Sequence, residues 1–170
     1  YNIVDKLIEF DPQYINITTH HSENIYKELP DGQIVKSNIR KRPGTVAIAA
    51  AIQNKYNTVA IPHLICKGFT RDETEYALID LNFLEVHNLL LLRGDVKSLD
   101  AEQLKGKQNN YATELQEQVN LFNQGINSDG SVFDKFDTPF SYGMACYPEK
   151  HEEAPNMESD IFYMKMKQEK

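Results

Sequence analysis

Residues 89–95 read Leu-Leu-Leu-Leu-Arg-Gly-Asp, an apolar run that turns polar at once. The four leucines, preceded by Val86, have the composition of a strand buried on both faces, the habit of parallel sheets. Arg93 and Asp95 lie two apart, so on an extended chain they point the same way. Gly94 between them removes bulk and lets backbone come close to a ligand. A cation and a carboxylate at the C-terminal end of a buried parallel strand stand where barrel and doubly wound enzymes keep their chemistry. The structural alternative is an ion pair that closes the strand end.

Other predicted strands also end in polar residues. The first ends Thr18-Thr19-His20-His21, the second carries His63, and the fourth ends Tyr147-Pro148-Glu149-Lys150-His151. One reading is a metal site from His20 or His21, His63 and His151, as in a metal-dependent barrel hydrolase. Adjacent strand histidines point to opposite faces, so at most one of His20 and His21 looks inward. No pair has a firm ligand spacing such as His-x-His. A lone strand histidine also serves as a core hydrogen bonder, and His87 has no functional companion. On the fourth strand Ser141, Gly143, Ala145 and Tyr147 share a face. The small residues among them either leave room for something large and flat or pack closely in a barrel layer. Asp160, Tyr163 and Lys167 are spaced i, i+3, i+7, one polar stripe of a helix. Such a stripe is either solvated or turned toward a ligand.

The elements that must position these residues alternate. Ile3, Leu7, Ile8 and Phe10 have helical spacing over residues 1–10, ended by Asp11-Pro12. Residues 14–19 form a strand by β-propensity, and 20–42 a long polar connection of the kind that is functional or mobile. Pro43-Gly44 introduces a helix through Ile52, and 58–66 is a strand with Pro62 inside it. Thr70-Arg71-Asp72-Glu73 is a capping box that opens a helix to Phe83. After the leucine strand come a polar loop, a helix from Tyr111 to about Asn123, a second polar loop, a strand over 140–147, and a helix from Met157 onward. Strictly alternating β and α imply a parallel sheet with right-handed crossovers. The four strand–helix units make either half of a (β/α)8 barrel or a small doubly wound sheet. No Gly-x-Gly-x-x-Gly or Walker-type loop follows any strand.

The 170 residues suffice for one domain with a real core. The formal net charge of -7, from 25 acids and 18 bases, argues against nucleic acid or an anionic membrane as main partner. Two cysteines without Cys-x-x-Cys suggest neither a disulfide framework nor a zinc ribbon, so a reducing compartment, the cytoplasm, is expected. No run is apolar for long enough to cross a membrane. The chain opens at Tyr1 and stops at Lys170 inside predicted helices, as a piece of something longer.

Pro62-His63-Leu64 with Cys66, Thr70-Arg71-Asp72-Glu73, Leu92-Arg93-Gly94-Asp95, Tyr111-Ala112, Tyr147-Pro148-Glu149-x-His151-x-Glu153-Ala154, and Asp160 before Lys167 occur in order along the chain. Together they resemble the methylenetetrahydrofolate reductases, from about Tyr14 to Lys170. The resemblance implies a (β/α)8 barrel with noncovalent FAD at the strand C-termini, of which residues 1–170 are a single partial domain truncated at both ends. It implies hydride transfer from NADH or NADPH to FAD, then to 5,10-methylenetetrahydrofolate, giving 5-methyltetrahydrofolate for one-carbon metabolism and methionine biosynthesis. Thr18 and Thr19 would lie beside flavin and nicotinamide. His63, Arg93, Gly94, Tyr111, Ala112, Tyr147, His151, Asp160, Tyr163 and Lys167 would hold FAD. Asp95 would sit near the flavin, meet the pterin of the folate and influence flavin reactivity. Arg93 and Lys167 suit a diphosphate, and Asp160 and His151 suit ribose or phosphate oxygens. A full-length parent would be a homo-oligomer, and the fragment alone inactive. The family's glutamate acid lies in a strand that would precede Tyr1, and other folate contacts would follow Lys170. Thr19-His20-His21 stands where many members have an aromatic residue or glycine followed by a small residue. A non-catalytic FAD-binding half-barrel is the alternative outcome.

Overall fold

The computed structural model describes residues 2–20, 23–95 and 106–170. Four strands, β1 (Tyr14–Ile17), β4 (Val59–Ile65), β5 (Asn88–Leu92) and β6 (Ser141–Met144), form one parallel sheet in the order β1-β4-β5-β6. Each strand lies beside the one laid down before it, with no reversal. A doubly wound sheet reverses its order at a switch point; a barrel does not. The described sheet is therefore a partial (β/α)8 barrel. Helices α2 (Thr45–Tyr56), α3 (Arg71–Phe83) and α4 (Ala112–Asn123) make the crossovers, and α5 (Met157–Glu169) follows β6. No described helix is long and apolar enough to cross a membrane.

The core lies between the sheet and the helices. Ile17, Ala60, Leu64, Leu89 and Leu91 point at Ala49 and Ile52 of α2, Leu78 and Leu81 of α3, and Leu115, Val119 and Phe122 of α4. The leucine strand differs from expectation on its second face. Leu89 and Leu91 are buried, while Leu90 and Leu92 are only half-buried. Pleating sends alternate side chains to opposite faces, and Leu90 and Leu92 look toward the barrel interior. Four strands do not enclose that interior.

The capping box is present: Thr70 Oγ1 accepts from Glu73 N at 3.1 Å, and Glu73 accepts from Thr70 N at 2.7 Å. Helix α1 (Asn2–Ile8) also forms, but Ile3, Leu7 and Phe10 are exposed, and the apolar residue it packs on the core is Val4. Polar contacts add to its docking, because Tyr56 Oη and Lys55 Nζ donate to Asp5 at 2.6 and 3.1 Å.

The largest departure is the stretch read as a long polar loop. It contains an antiparallel hairpin, β2 (Glu23–Glu28) and β3 (Ile34–Ile39), separate from the main sheet. Pro30-Asp31-Gly32 supplies its turn. Gly32 has φ +81°, Gly32 N donates to Leu29 O, and Asp31 Oδ1 accepts from Gln33 N. Proline, aspartate and glycine are the residues such a turn requires. Charged residues in both strands mask the signal. The last strand is also shorter than expected. It ends at Met144, which leaves Ala145 and Tyr147 beyond the ladder.

Candidate functional site

The C-terminal ends of β1, β4 and β5 open into one cleft lined by Thr18, Thr19, His63, Gly94 and Asp95. Neighbouring parallel strands in register carry these residues to one rim, with Ile17 opposite Pro62 and Ile65 opposite Leu92. Thr19 is fixed there. Its hydroxyl donates to the His63 carbonyl and lies 2.8 Å from the hydroxyl of Thr45 at the start of α2. Thr45 also lines the cleft, a contribution that the sequence pattern did not single out.

His63 projects from the interior face of β4, opposite Leu90. Its Nε2 is buried with no hydrogen-bond partner among the described residues. Burial holds the imidazole below its ordinary 6.5, so it is neutral at pH 7. A neutral ring with one unused nitrogen can donate to, or accept from, a ligand. An orphaned buried polar atom is costly unless something else satisfies it.

Of Arg93 and Asp95, only Asp95 is among the residues that line the cleft. Arg93 pairs with Glu153 through Nη1 at 2.6 Å and Nη2 at 3.0 Å. Gly94 between them has a φ of +76°, which breaks the extended alternation. A Cβ at Gly94 would also lie 3.1 Å from Ile65 Cβ. The position therefore favours glycine for both conformation and space.

Around Arg93 a second group gathers. Tyr147 and Tyr111 are near enough to act on its charge, which the hydrogen-bonded Glu153 carboxylate holds above the ordinary arginine range of ionisation. Tyr147 and His151 meet edge to face at 4.4 Å. His151 Nδ1 accepts from Glu153 N at 3.0 Å, leaving Nε2 as the ring's donor. The His151 backbone donates to Asp160 Oδ2 at 2.6 Å. Tyr111 is the exposed N-cap residue of α4, and Ala112 its half-buried first residue. Buried polar contacts hold the segment before them: Asn109 Nδ2 donates to Gln118 Oε1, Gln118 Nε2 to Arg71 O, and Arg71 Nε to Asn109 Oδ1. Polar composition disguised the buried Asn109 and Gln118 as loop and helix surface.

The stripe on α5 is split. Lys167 is half-buried and donates to Ala145 O at 2.8 Å just past β6; burial holds its ammonium below its ordinary 10.5. Asp160 faces the same region through His151, whereas Tyr163 is exposed. The stripe's ends thus turn toward the strand end rather than to bulk water. Gln116, unflagged by the sequence, donates through Nε2 to Lys167 O at 2.7 Å. The exposed Ser141 and Gly143 leave space on the interior face of β6, where a Cβ at Gly143 would touch only Leu90 Cδ1, at 3.4 Å. Among the described residues no group of three or more His, Cys, Asp or Glu could hold a metal ion. His21 lies outside the described residues.

Comparison with known proteins identifies the family of the chain. The family profile described as Methylenetetrahydrofolate reductase matches residues 1–170. The chain belongs to the methylenetetrahydrofolate reductase family. It is 26% identical over 167 residues to the 5,10-methylenetetrahydrofolate reductase of Salmonella typhimurium, covering 98% of this chain and 44% of that protein. The same identity and coverage hold for the Escherichia coli protein of that name. A Caenorhabditis elegans protein named probable methylenetetrahydrofolate reductase (NADPH) is 22% identical over 168 residues, covering 93% of this chain and 23% of its own. This family member thus spans less than half the length of these relatives.

Proposed function

We propose that residues 1–170 are one domain, part of a larger barrel, of a FAD-dependent reductase that converts 5,10-methylenetetrahydrofolate to 5-methyltetrahydrofolate with NADH or NADPH. The observation that carries this reading is the buried, unpartnered Nε2 of His63 on the rim shared with Thr18, Thr19 and Asp95, in a chain of this family. The residues present suit FAD. His63 offers a neutral imidazole, and Gly94 lets backbone approach closely. Tyr147 and His151 offer an aromatic edge and an Nε2 donor, and Lys167 and Asp160 stand near them on α5. Tyr111, Ala112, Tyr163, Thr18 and Thr19 complete the set that would hold the cofactor.

Arg93 is already engaged by Glu153, yet a guanidinium has five N–H groups and the pair uses two. The rest remain for a diphosphate, and Glu153 fixes the plane in which they lie. Bound FAD would supply hydride transfer between nicotinamide and folate. Asp95 would hydrogen-bond the amino-pyrimidine edge of the pterin, and its charge would tune the flavin beside it. The two free thiols suit a cytoplasmic protein, and we infer a homo-oligomer at full length.

The test is the absorbance spectrum of the purified full-length protein and the identity of the cofactor released on denaturation. Stoichiometric FAD supports the reading, and a colourless protein that does not take up FAD contradicts it.

A further inference from the structure

Arg40, Lys41 and Arg42 follow one another directly after β3, and all three line the cleft that Thr18, Thr19, His63 and Asp95 line. In a chain of net charge -7 this concentrates positive charge on one rim. The Arg40 guanidinium crosses the backbone at Gly44, with Nη2 only 1.5 Å from where a Cβ would stand. Glycine is what lets the side chain lie there. Arg42 Nη1 is 3.3 Å from His20 Nε2, so its neighbour is a ring nitrogen rather than a carboxylate. Among the described residues neither arginine is paired with an acid. Of the cleft's acids, Glu73 is committed to the capping box with Thr70, and Asp80 and Asp95 pair with neither arginine. Helix α2, which begins at Thr45, has no acid in its first turn to offset them.

We propose that Arg40 and Arg42 form a subsite for the oxyanion tail of a ligand entering this cleft. The inference rests on the functional reading above, which gives two sources of such a tail: an additional phosphate on the adenosine end of the nicotinamide nucleotide, or the carboxylates of a glutamyl chain on the folate. Both present oxygens that a guanidinium can grip with two parallel hydrogen bonds. Through this subsite the hairpin of β2 and β3, which carries Arg40 at its end, would help select the ligand.

Calorimetric titration of the full-length protein at low salt separates the sources. One arm compares adenosine 2′,5′-bisphosphate with AMP, the other γ-linked triglutamate with glutamate. The wild-type protein is expected to prefer the tailed member of one pair by about tenfold or more, and that pair identifies the source. The Arg40→Gln/Arg42→Gln variant should lose the preference. Both side chains are exposed, so the fold should survive. Raising the salt should erode the preference, and Lys135→Gln, off the cleft, should not. Absence of preference in both arms, its survival in the double variant, or equal loss in Lys135→Gln overturns the proposal. Flavin content is read separately. A flavin-free protein that keeps the preference sinks the functional reading and leaves the subsite standing, while a flavoprotein without it does the reverse.

Discussion

Arg93 and Glu153, 60 residues apart, form a two-pronged ion pair at 2.6 and 3.0 Å that joins the end of β5 to the segment before α5. The Arg93 side chain is about one-third exposed and that of Glu153 about two-thirds, so the pair's role is geometric more than energetic. Arg93→Ala in the full-length protein should weaken FAD retention by about tenfold to a hundredfold, the loss of a charge-assisted contact to phosphate. Glu153→Gln should weaken it less, by about threefold to tenfold, because the guanidinium stays but its orientation loosens. Flavin fluorescence on dilution measures both. Tighter FAD binding in Glu153→Gln would mean that Glu153 competes with the cofactor instead of positioning Arg93.

Lys167 and Asp160 face the end of β6, so their effects should separate from those of their helix neighbours. Lys167→Ala and Asp160→Ala should each release FAD more readily, Lys167→Ala by roughly fivefold to 150-fold. Lys165, exposed on the same helix, should tolerate alanine without effect. Equal FAD loss from Lys165→Ala and Lys167→Ala would refute the assignment of α5.

His63 gives a pH dependence whose sign follows from burial. Its folded value lies below the ordinary 6.5, so the unfolded chain binds the proton more readily. The contribution to stability is full above pH 6.5 and is lost as pH falls through the folded value. Histidine NMR should place the His63 midpoint below 6.5 in the cofactor-free protein, and His63→Gln should flatten the acid side of the stability curve. A midpoint at or above 6.5 contradicts the buried, neutral ring.

Strands β1 and β6 are the two edges of the described sheet, and parallel edges without partners recruit other chains. The isolated polypeptide 1–170 should self-associate on size exclusion with light scattering. A cooperative monomer would show that the edges are otherwise protected.

The βα alternation was legible because each strand and helix has its own period, and the capping box at Thr70 fixed one helix start to the residue. The hairpin was not, since Glu-Asn-Ile-Tyr-Lys-Glu and Ile-Val-Lys-Ser-Asn-Ile do not alternate apolar and polar residues with the period of a strand. Arg93 and Asp95 were legible as site candidates, but one positive φ at Gly94 breaks the extended alternation between them, which spacing does not reveal. Glu153 stood in the quoted motif with no role, because a partner 60 residues away leaves no local trace. Gln116 and Thr45 were invisible for the same reason.

The most direct measurement is anaerobic stopped-flow of the full-length protein in two halves: reduction of bound flavin by NADH or NADPH, then its reoxidation by 5,10-methylenetetrahydrofolate. The wild-type protein should complete both and form 5-methyltetrahydrofolate in step with reoxidation. In Asp95→Asn, reduction should persist while reoxidation slows at least about tenfold, roughly 1.4 kcal/mol of barrier or more. Reduced flavin that the folate fails to reoxidise in the wild-type protein would contradict the account, and equal slowing of both halves in Asp95→Asn would remove Asp95 from the folate side.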